Sequence, residues 1–467
     1  MATITFFGAA LEVTGSCHLL ESSSTGRVIL DCGMHQGGDA VKRISKDKFE
    51  FEASSLDAVI LSHAHLDHSG LLPKLVSQGF DGPIYCTAAT ADLLRIMLND
   101  AFGLYERDME RKNLRLQRKG KRTVKLEYSQ KDVDKVMSLC VGVRYRSPRE
   151  FRTGASVTFH DAGHILGSAI VEVVFEDEGR QKHLVYSGDL GNADSTLMND
   201  PAKLQQADLV LMESTYGNRD HRDMDQTLDQ LRDILADTWN RGGSVLIPSF
   251  AVGRTQEILF HLGCLQHDGL LDGWKVYLDS PMAIEVTSVY DKWLRLLDDE
   301  DVRKLTEVQH KSLVEFLPTL SICITPEESM AINDHHKGVI VIAGSGMCTG
   351  GRIRHHMKHR IWRAETTMLF IGFQAQGTLG RNLVDGAEKI RMFGDEFAVK
   401  ATIETLGGFS AHAGQAALIE WAASFQNSPQ FALVHGEPQA MQVLAGKLSQ
   451  EKQIQCQLPA RGEQISF

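Results

Sequence analysis

The chain has 467 residues, too many for one hydrophobic core and enough for two or three domains. Apolar residues make up 43% and charged residues 23%, ordinary values for a soluble globular chain. A net charge of −11 argues against a polyanionic partner held by long-range attraction, without excluding a local site for one. No apolar stretch approaches the ~18 to 20 residues of a membrane-spanning helix, so no membrane partner is expected. The first ten residues hold no basic leader, and the eight scattered cysteines form no Cys-x-x-Cys pair. These features lead to the expectation of a cytoplasmic protein with reduced thiols.

In chain order, residues 3–7, 27–30, 58–61 and 83–85 are expected strands, and 71–76 and 89–99 have helical spacing. Residues 103–152 form a polar, basic, helical excursion in which eight of the fifteen residues 111–125 are Lys or Arg. Strands return at 157–160, 170–175 and 184–186. From about 208 to 408 the rhythm changes. Strands at 209–212, 245–248, 276–278, 322–324, 339–343 and 368–371 are largely separated by helical stretches, of which 225–239 and 256–265 are the clearest. That alternation marks a parallel sheet covered on both faces. A last strand at 430–434 delivers His435. The expected division is therefore 1–208, an inserted α/β block at 209–408, and a return at 409–467.

Seven residues stand out because each follows an apolar strand-like run: His63, His65, Asp67 and His68 in one turn, and the isolated His164, Asp189 and His435. Imidazole and carboxylate are Zn²⁺ ligands, and seven are about what two neighbouring ions need when one carboxylate bridges them. In extended backbone His63 and His65 point to the same side. Asp67 and His68 follow where a helix begins, so the turn can serve two metals. A polar surface turn would not need three histidines and an aspartate within six residues. Taken alone, His164 and Asp189 would more often be turn residues satisfied by backbone hydrogen bonds; their placement after strands near His63 raises them. Such a pair of metals clamps the attacking and leaving oxygens of a hydrolysed ester.

The set resembles the metallo-β-lactamase superfamily, with its His-x-His-x-Asp-His turn followed by a distant His and a distant Asp. The implied fold is α/β, an αβ/βα sandwich with two Zn²⁺ at one edge. His63, His65 and His164 would hold one ion, Asp67, His68 and His435 the other, and Asp189 would bridge them. Glu213 in Met212-Glu213-Ser214-Thr215, His412 in Ser410-Ala411-His412-Ala413 and His435 in Val434-His435-Gly436 resemble motifs A, B and C of the β-CASP family. That is the nucleic-acid-processing branch, whose hallmark is an inserted parallel-sheet domain. The resemblance spans essentially the whole chain. It implies that Asp67, Glu213 and His412 are catalytic, with His412 as general acid held by Glu213, and that His at motif C points to RNA rather than DNA.

Three post-strand loops read as phosphate cradles. Gly344-Ser345-Gly346-Met347-Cys348-Thr349-Gly350-Gly351-Arg352 opens a helix, where amides and the helix dipole favour an anion. Pro248 to Arg254 and Asp279-Ser280-Pro281 have the same placement. Arg254, Ser280, Ser345, Gly346 and Arg352 are thus the expected substrate contacts. The basic run 111–125 has few aromatics, so stacking there is not indicated. His355, His356 and His359 are read as surface or cleft-lining histidines rather than a third metal site.

Together these readings imply a zinc-dependent ribonuclease of single-stranded RNA that uses a hydroxide shared by two metals and leaves 5′-phosphate and 3′-hydroxyl ends. The site is expected in a cleft between the domains. The action is expected to be endonucleolytic, with 5′ exonuclease activity open, because the chain ends about thirty residues after His435 with no further domain. A small-ester or thioester hydrolase and a non-catalytic RNA-binding scaffold are the rival readings. The inserted block argues against the first and the complete ligand set against the second. A homodimer remains open.

Overall fold

The structure, a computed structural model, describes residues 1–35, 44–307 and 311–467. They form two compact units, one of Met1–Asp220 with His412–Phe467, the other of His221–Ala411. The strands of the first unit are β1 (Thr3–Gly8), β2 (Cys17–Ser22), β3 (Gly26–Leu30), β4 (Ala58–Ile60), β5 (Ile84–Thr87), β6 (Cys140–Val143), β7 (Arg149–Arg152), β8 (Ala155–Asp161), β9 (Ala169–Asp177), β10 (Arg180–Tyr186) and β11 (Leu209–Glu213). The second unit carries β12 (Ser244–Pro248), β13 (Lys275–Leu278), β14 (Leu320–Ile322), β15 (Val339–Ala343), β16 (Thr367–Phe370), β17 (Lys389–Met392), β18 (Asp395–Ala398) and β19 (Thr402–Thr405). The chain then returns through β20 (Gln430–Val434), β21 (Cys456–Gln457) and β22 (Gln464–Ser466).

The first unit contains two seven-stranded sheets, ordered β22-β1-β2-β3-β4-β5-β6 and β21-β20-β11-β10-β9-β8-β7. Alternate residues of each sheet face a shared apolar core. Ile4, Phe6, Val28, Leu30 and Ile60 of one sheet meet Val157, Phe159, Val171, Val173, Leu209 and Leu211 of the other. The opposite face of the second sheet, with Val185, Val210, Met212 and Leu433, is covered by the helices Gln415–Ala422 and Pro438–Lys452. Helices Leu72–Ser77, Ala88–Arg118 and Gln130–Leu139 cover the first sheet. This is the αβ/βα sandwich. Within it β3 to β6 run parallel, as do β10, β11, β20 and β21. The C-terminal ends of the parallel strands carry the polar residues singled out in the sequence.

The second unit is a six-stranded sheet, β14-β13-β15-β12-β16-β19, whose pairings are all parallel. Helices Met224–Asn240 and Arg254–His267 cover one face, and Ile353–Arg360 the other.

Three expectations need correction. Strand 209–212 does not begin the inserted block: β11 pairs with β10 and β20 and belongs to the first sandwich. A buried run such as Leu209–Glu213 fits any parallel sheet, and only its partners decide which. The excursion 103–152 is helical only in part. Helix Ala88–Arg118 is followed by Gln130–Leu139, and then β6 and β7 edge the two sheets. Half-exposed edge strands carry charge, which hides their pattern. The strand expected at 322–324 lies at Leu320–Ile322, and β19, a further strand, completes the sheet beside β16. Among the described residues no helix is long and apolar enough to cross a membrane.

Candidate metal centre

Six strand ends build the centre. After β4, Leu61 and Ser62 lead into His63, and a one-turn helix, Leu66–Ser69, carries Asp67 and His68. β8 leads to His164, β10 to Asp189, β11 ends on Glu213 and β20 delivers His435. β3 ends directly before Asp31. The ligand turn is clamped from below: Ser16 N donates to the Asp67 carbonyl and Cys32 N to that of His68, at 2.9 and 2.7 Å. Gly33 lies so close that a Cβ there would run into the Asp67 carbonyl oxygen.

All seven residues converge. His65 Nδ1 lies 3.1 Å from both His63 Nε2 and His164 Nε2, and Asp189 Oδ2 lies 3.5 Å from both of those Nε2 atoms. On the other side, His68 Nε2 is 3.2 Å from His435 Nε2, and Asp67 Oδ2 is 3.7 Å from His435 Nε2. Asp189 Oδ1 reaches this second group, 3.2 Å from His68 Nε2. Among the described residues three groups lie close enough to hold an ion: His63, His65, His164 and Asp189; Asp67, His68 and His435; and Asp189, Glu213 and His412, with Asp189 also touching the second.

The donor set fits metal ions. Tetrahedral coordination with Zn–N bonds of 2.0–2.1 Å places ligand atoms about 3.3 Å apart, close to the spacing of the first group. Asp189 Oδ1 is buried and accepts no hydrogen bond among the described residues, an orphan that a cation would satisfy. Burial drives the His63 imidazole well below its ordinary pKa. It also takes His65 down to about 4 against the pull of Asp67 and Asp189. Neutral imidazoles with their lone pairs turned inward are metal ligands.

Four residues that the sequence reading did not single out fix these orientations. Asp31, fully buried, accepts from His68 Nδ1, from the Ser62 hydroxyl and amide, and from the Tyr186 hydroxyl, each at 2.7 Å. This carboxylate holds His68 with Nε2 facing the centre, the arrangement that raises a ligand's basicity. Its effect is visible in His68, whose pKa stands well above the usual value: burial lowers it, but Asp189 and Asp31 outweigh that. The Thr215 hydroxyl lies 3.0 Å from His435 Nδ1. Asn192 brackets His412, its Nδ2 donating to the His412 carbonyl and its Oδ1 accepting from Gly414 N. His435 itself has φ 51°, a left-handed conformation uncommon outside glycine and held by its amide bond to the Ala9 carbonyl. Asp31 had a signal: it follows an apolar strand run as His63 does. Ser62, Thr215 and Asn192 had none beyond adjacency to a motif.

Next to the clusters, His412 Nδ1 lies 3.2 Å from Glu213 Oε1. Glu213 is fully buried, and its Oε1 also accepts from Leu190 N at 2.6 Å. The His412 ring lies 4.6 Å from that of His164. Burial opposes protonation of His412, but Glu213 and Asp189 outweigh it and raise its pKa to about 9. A proton can thus be held on an imidazole at the rim of the ligand set.

The five expected substrate contacts all lie in the inserted unit, at the C-terminal edge of its sheet, and the four with polar side chains already have partners. Arg352 donates to Asp279 Oδ1 at 2.6 Å and to the carbonyls of Cys323 and Ile324. Arg254 pairs with Glu257. Ser280 caps helix Pro281–Lys292, and the Ser345 hydroxyl accepts from Gly350 N. Gly346 packs under the ring of Phe250. His356 is buried against Asp279, while His355 and His359 are exposed.

Comparison with known proteins bears on this geometry. Residues 11–238 match the metallo-beta-lactamase superfamily, residues 255–383 the Beta-Casp domain, and residues 396–459 the Zn-dependent metallo-hydrolase RNA specificity domain. The chain is 40% identical to Ribonuclease TTHA0252 of Thermus thermophilus over 463 residues, covering 99% of this chain and 97% of that protein. It is 32% identical to transcription termination factor FttA of Methanocaldococcus jannaschii, covering 93% of this chain and 67% of that protein. It is 29% identical to an RNase J-like protein of the same organism, with 99% of each covered. A crystal structure of a protein of unknown function from Enterococcus faecalis has the same fold, with TM-score 0.55 at 14% identity and full coverage of both chains.

Proposed function

From a chain that belongs to the β-CASP family of the metallo-β-lactamase superfamily, and is thereby a metal-dependent nuclease, we propose a two-zinc ribonuclease acting on single-stranded RNA. It cuts internally, with 5′ exonuclease action open, and leaves 5′-phosphate and 3′-hydroxyl ends. The observation that carries the reading is Asp189, whose Oδ2 lies 3.5 Å from His63 and His164 Nε2 and whose Oδ1 lies 3.2 Å from His68 Nε2 and 3.6 Å from His435 Nδ1, so that its two oxygens face two clusters of imidazoles. His63, His65 and His164 would hold one ion, and Asp67, His68 and His435 the other. When bound, two Zn²⁺ supply Lewis acidity: they bring a water's pKa down to about 7 and neutralise charge on phosphoryl oxygens.

The chain's own residues would do the rest. Asp31 keeps the proton of His68 on Nδ1, so that Nε2 remains a donor to metal. Glu213 accepts from His412 Nδ1, which leaves Nε2 to carry a proton toward the leaving 3′ oxygen. In the inserted unit, Ser345 and Gly346 line a Gly-rich turn whose amides suit phosphate, whereas the pairing of Arg254 and Arg352 favours a structural part for both. Eight unpaired cysteines support a reducing, cytoplasmic setting.

The test is incubation of the zinc-loaded protein with 5′-labelled single-stranded RNA, its duplex and the matching DNA, comparing wild type with His65→Ala and His412→Ala. A ladder from single-stranded RNA with wild type alone is expected. Equal cutting of DNA, or an unimpaired His412→Ala, would overturn the assignment.

A further inference from the structure

The inserted sheet has a topological switch point of its own. The chain leaves β12 toward β13 on one side, and leaves the neighbouring β15 toward β16 on the other. Right-handed crossovers then place the following helices on opposite faces. The packing agrees: Val245 and Ile247 of β12 share a core with Ile258 and Leu262 of helix Arg254–His267, whereas Leu246 shares one with Ile353 and Met357 of helix Ile353–Arg360. Open parallel sheets take their ligands at such a reversal, beyond the carboxyl ends of the strands.

Phe250, two residues beyond β12, stands there. Its ring is 41% exposed although it is pinned from several sides. The ring edge rests on Gly346, where an added Cβ would come within 2.7 Å of Cδ2; a Cβ added at Gly372 would reach Cε2 at 3.8 Å, so the ring lies near that glycine as well. Gln374 Nε2 donates to the carbonyls of both glycines, at 3.0 and 3.1 Å, so the two glycine segments are tied together. The Phe250 carbonyl accepts from the Thr255 hydroxyl at 2.7 Å. A single exposed apolar side chain needs no explanation, but one braced on a glycine whose turn is fixed by an amide clamp is held in place at a cost in chain entropy. Phe373, after the adjacent strand β16, is 57% exposed on the same sheet edge. The arginines of these loops face carboxylates, so the edge offers ring surface more than free positive charge.

We propose that Phe250 is a stacking platform for a nucleobase of single-stranded RNA, with Phe373 as a flanking ring. The occupant rests on the ribonuclease reading above; the platform itself rests on the switch point and the braced ring. Stacking on an aromatic face tolerates any base and contributes about 1 to 3 kcal/mol per base, which makes recognition sequence-tolerant and confined to unpaired strands.

The experiment uses the full zinc-loaded chain, a short single-stranded RNA and a set of the same RNA with one abasic position moved along it. Phe250→Leu keeps an apolar side chain without a π face, and Phe250→Trp enlarges the face; melting temperature and zinc content check folding. Phe250→Leu is expected to raise KM about 5- to 150-fold, with Phe250→Trp near wild type. One abasic position should cost wild type a similar factor and cost Phe250→Leu nothing further. An unchanged KM in a folded Phe250→Leu, or equal losses at every abasic position in both proteins, overturns the platform and leaves the ribonuclease assignment standing. A wild type that neither binds nor cuts RNA overturns both.

Discussion

Asp31 takes four hydrogen bonds on two buried oxygens, and one of them orients His68, a proposed metal ligand. Asp31→Asn keeps the shape but turns an amide toward one of those donors. Zinc affinity should fall about 10- to 100-fold, measured by competition with a chromophoric chelator, while the circular dichroism spectrum stays that of the wild type. A second residue-scale expectation concerns pH. The Asp47 carboxylate, and then Glu12, hold the His35 imidazole at about 9. The folded state therefore binds this proton more tightly than the unfolded chain does. The stabilisation is complete below the unfolded value near 6.5 and drains away as pH rises through about 9. The melting-temperature gap between wild type and His35→Gln should be wide at pH 6 and close by pH 10. A gap that widens with pH would reverse the assignment.

At the scale of elements, the 31-residue helix Ala88–Arg118 changes character along its length. Its buried positions, among them Leu93, Leu98, Phe102 and Tyr105, end at Met109, and the basic run lies beyond them. Phe102→Ala should cost about 3 to 5 kcal/mol. Replacing Arg111, Lys112, Arg115 or Arg118 singly by Ala should stay within about 0.5 kcal/mol, both read by denaturant titration. In the inserted unit, the fully buried Asp279 carboxylate binds Arg352, His356 and Ser329 together, which ties helices Pro326–Ala331 and Ile353–Arg360 to the sheet edge. Asp279→Ala strands a partly buried guanidinium and should cost about 3 to 5 kcal/mol with zinc content unchanged. Loss of zinc in that variant would mean that the two units do not fold as separately as their cores suggest. The sequence put Arg352 on the substrate because charge beside a Gly-rich turn suits phosphate; the acid that claims it lies 73 residues earlier, a distance no local pattern spans.

For the whole molecule, every candidate ligand lies in the first unit, which is built from both ends of the chain. Ligands that bind only the folded state stabilise it by mass action, about 2.7 kcal/mol at a hundredfold excess over Kd. Chelation should therefore lower one calorimetric transition, that of the sandwich, and leave the transition of the inserted unit in place. Two transitions shifting together would contradict this.

Strand ends were legible because a buried strand is an apolar run, and a polar residue immediately after it marks an edge where function collects. On that ground His63, His65, Asp67, His68, His164, Asp189 and His435 stood out, and the alternating block announced a parallel sheet. The sequence determined residue types and periodicity, the two things that short-range sterics and burial impose. Partnership belonged to the tertiary structure. It decided that β11 lies with β10 and β20, that Asp31 stands behind His68, that Arg352 faces Asp279, and that Phe250 lies on Gly346. Each of these is a contact between segments separated along the chain, selected by packing and by the cost of leaving a buried polar group unpaired.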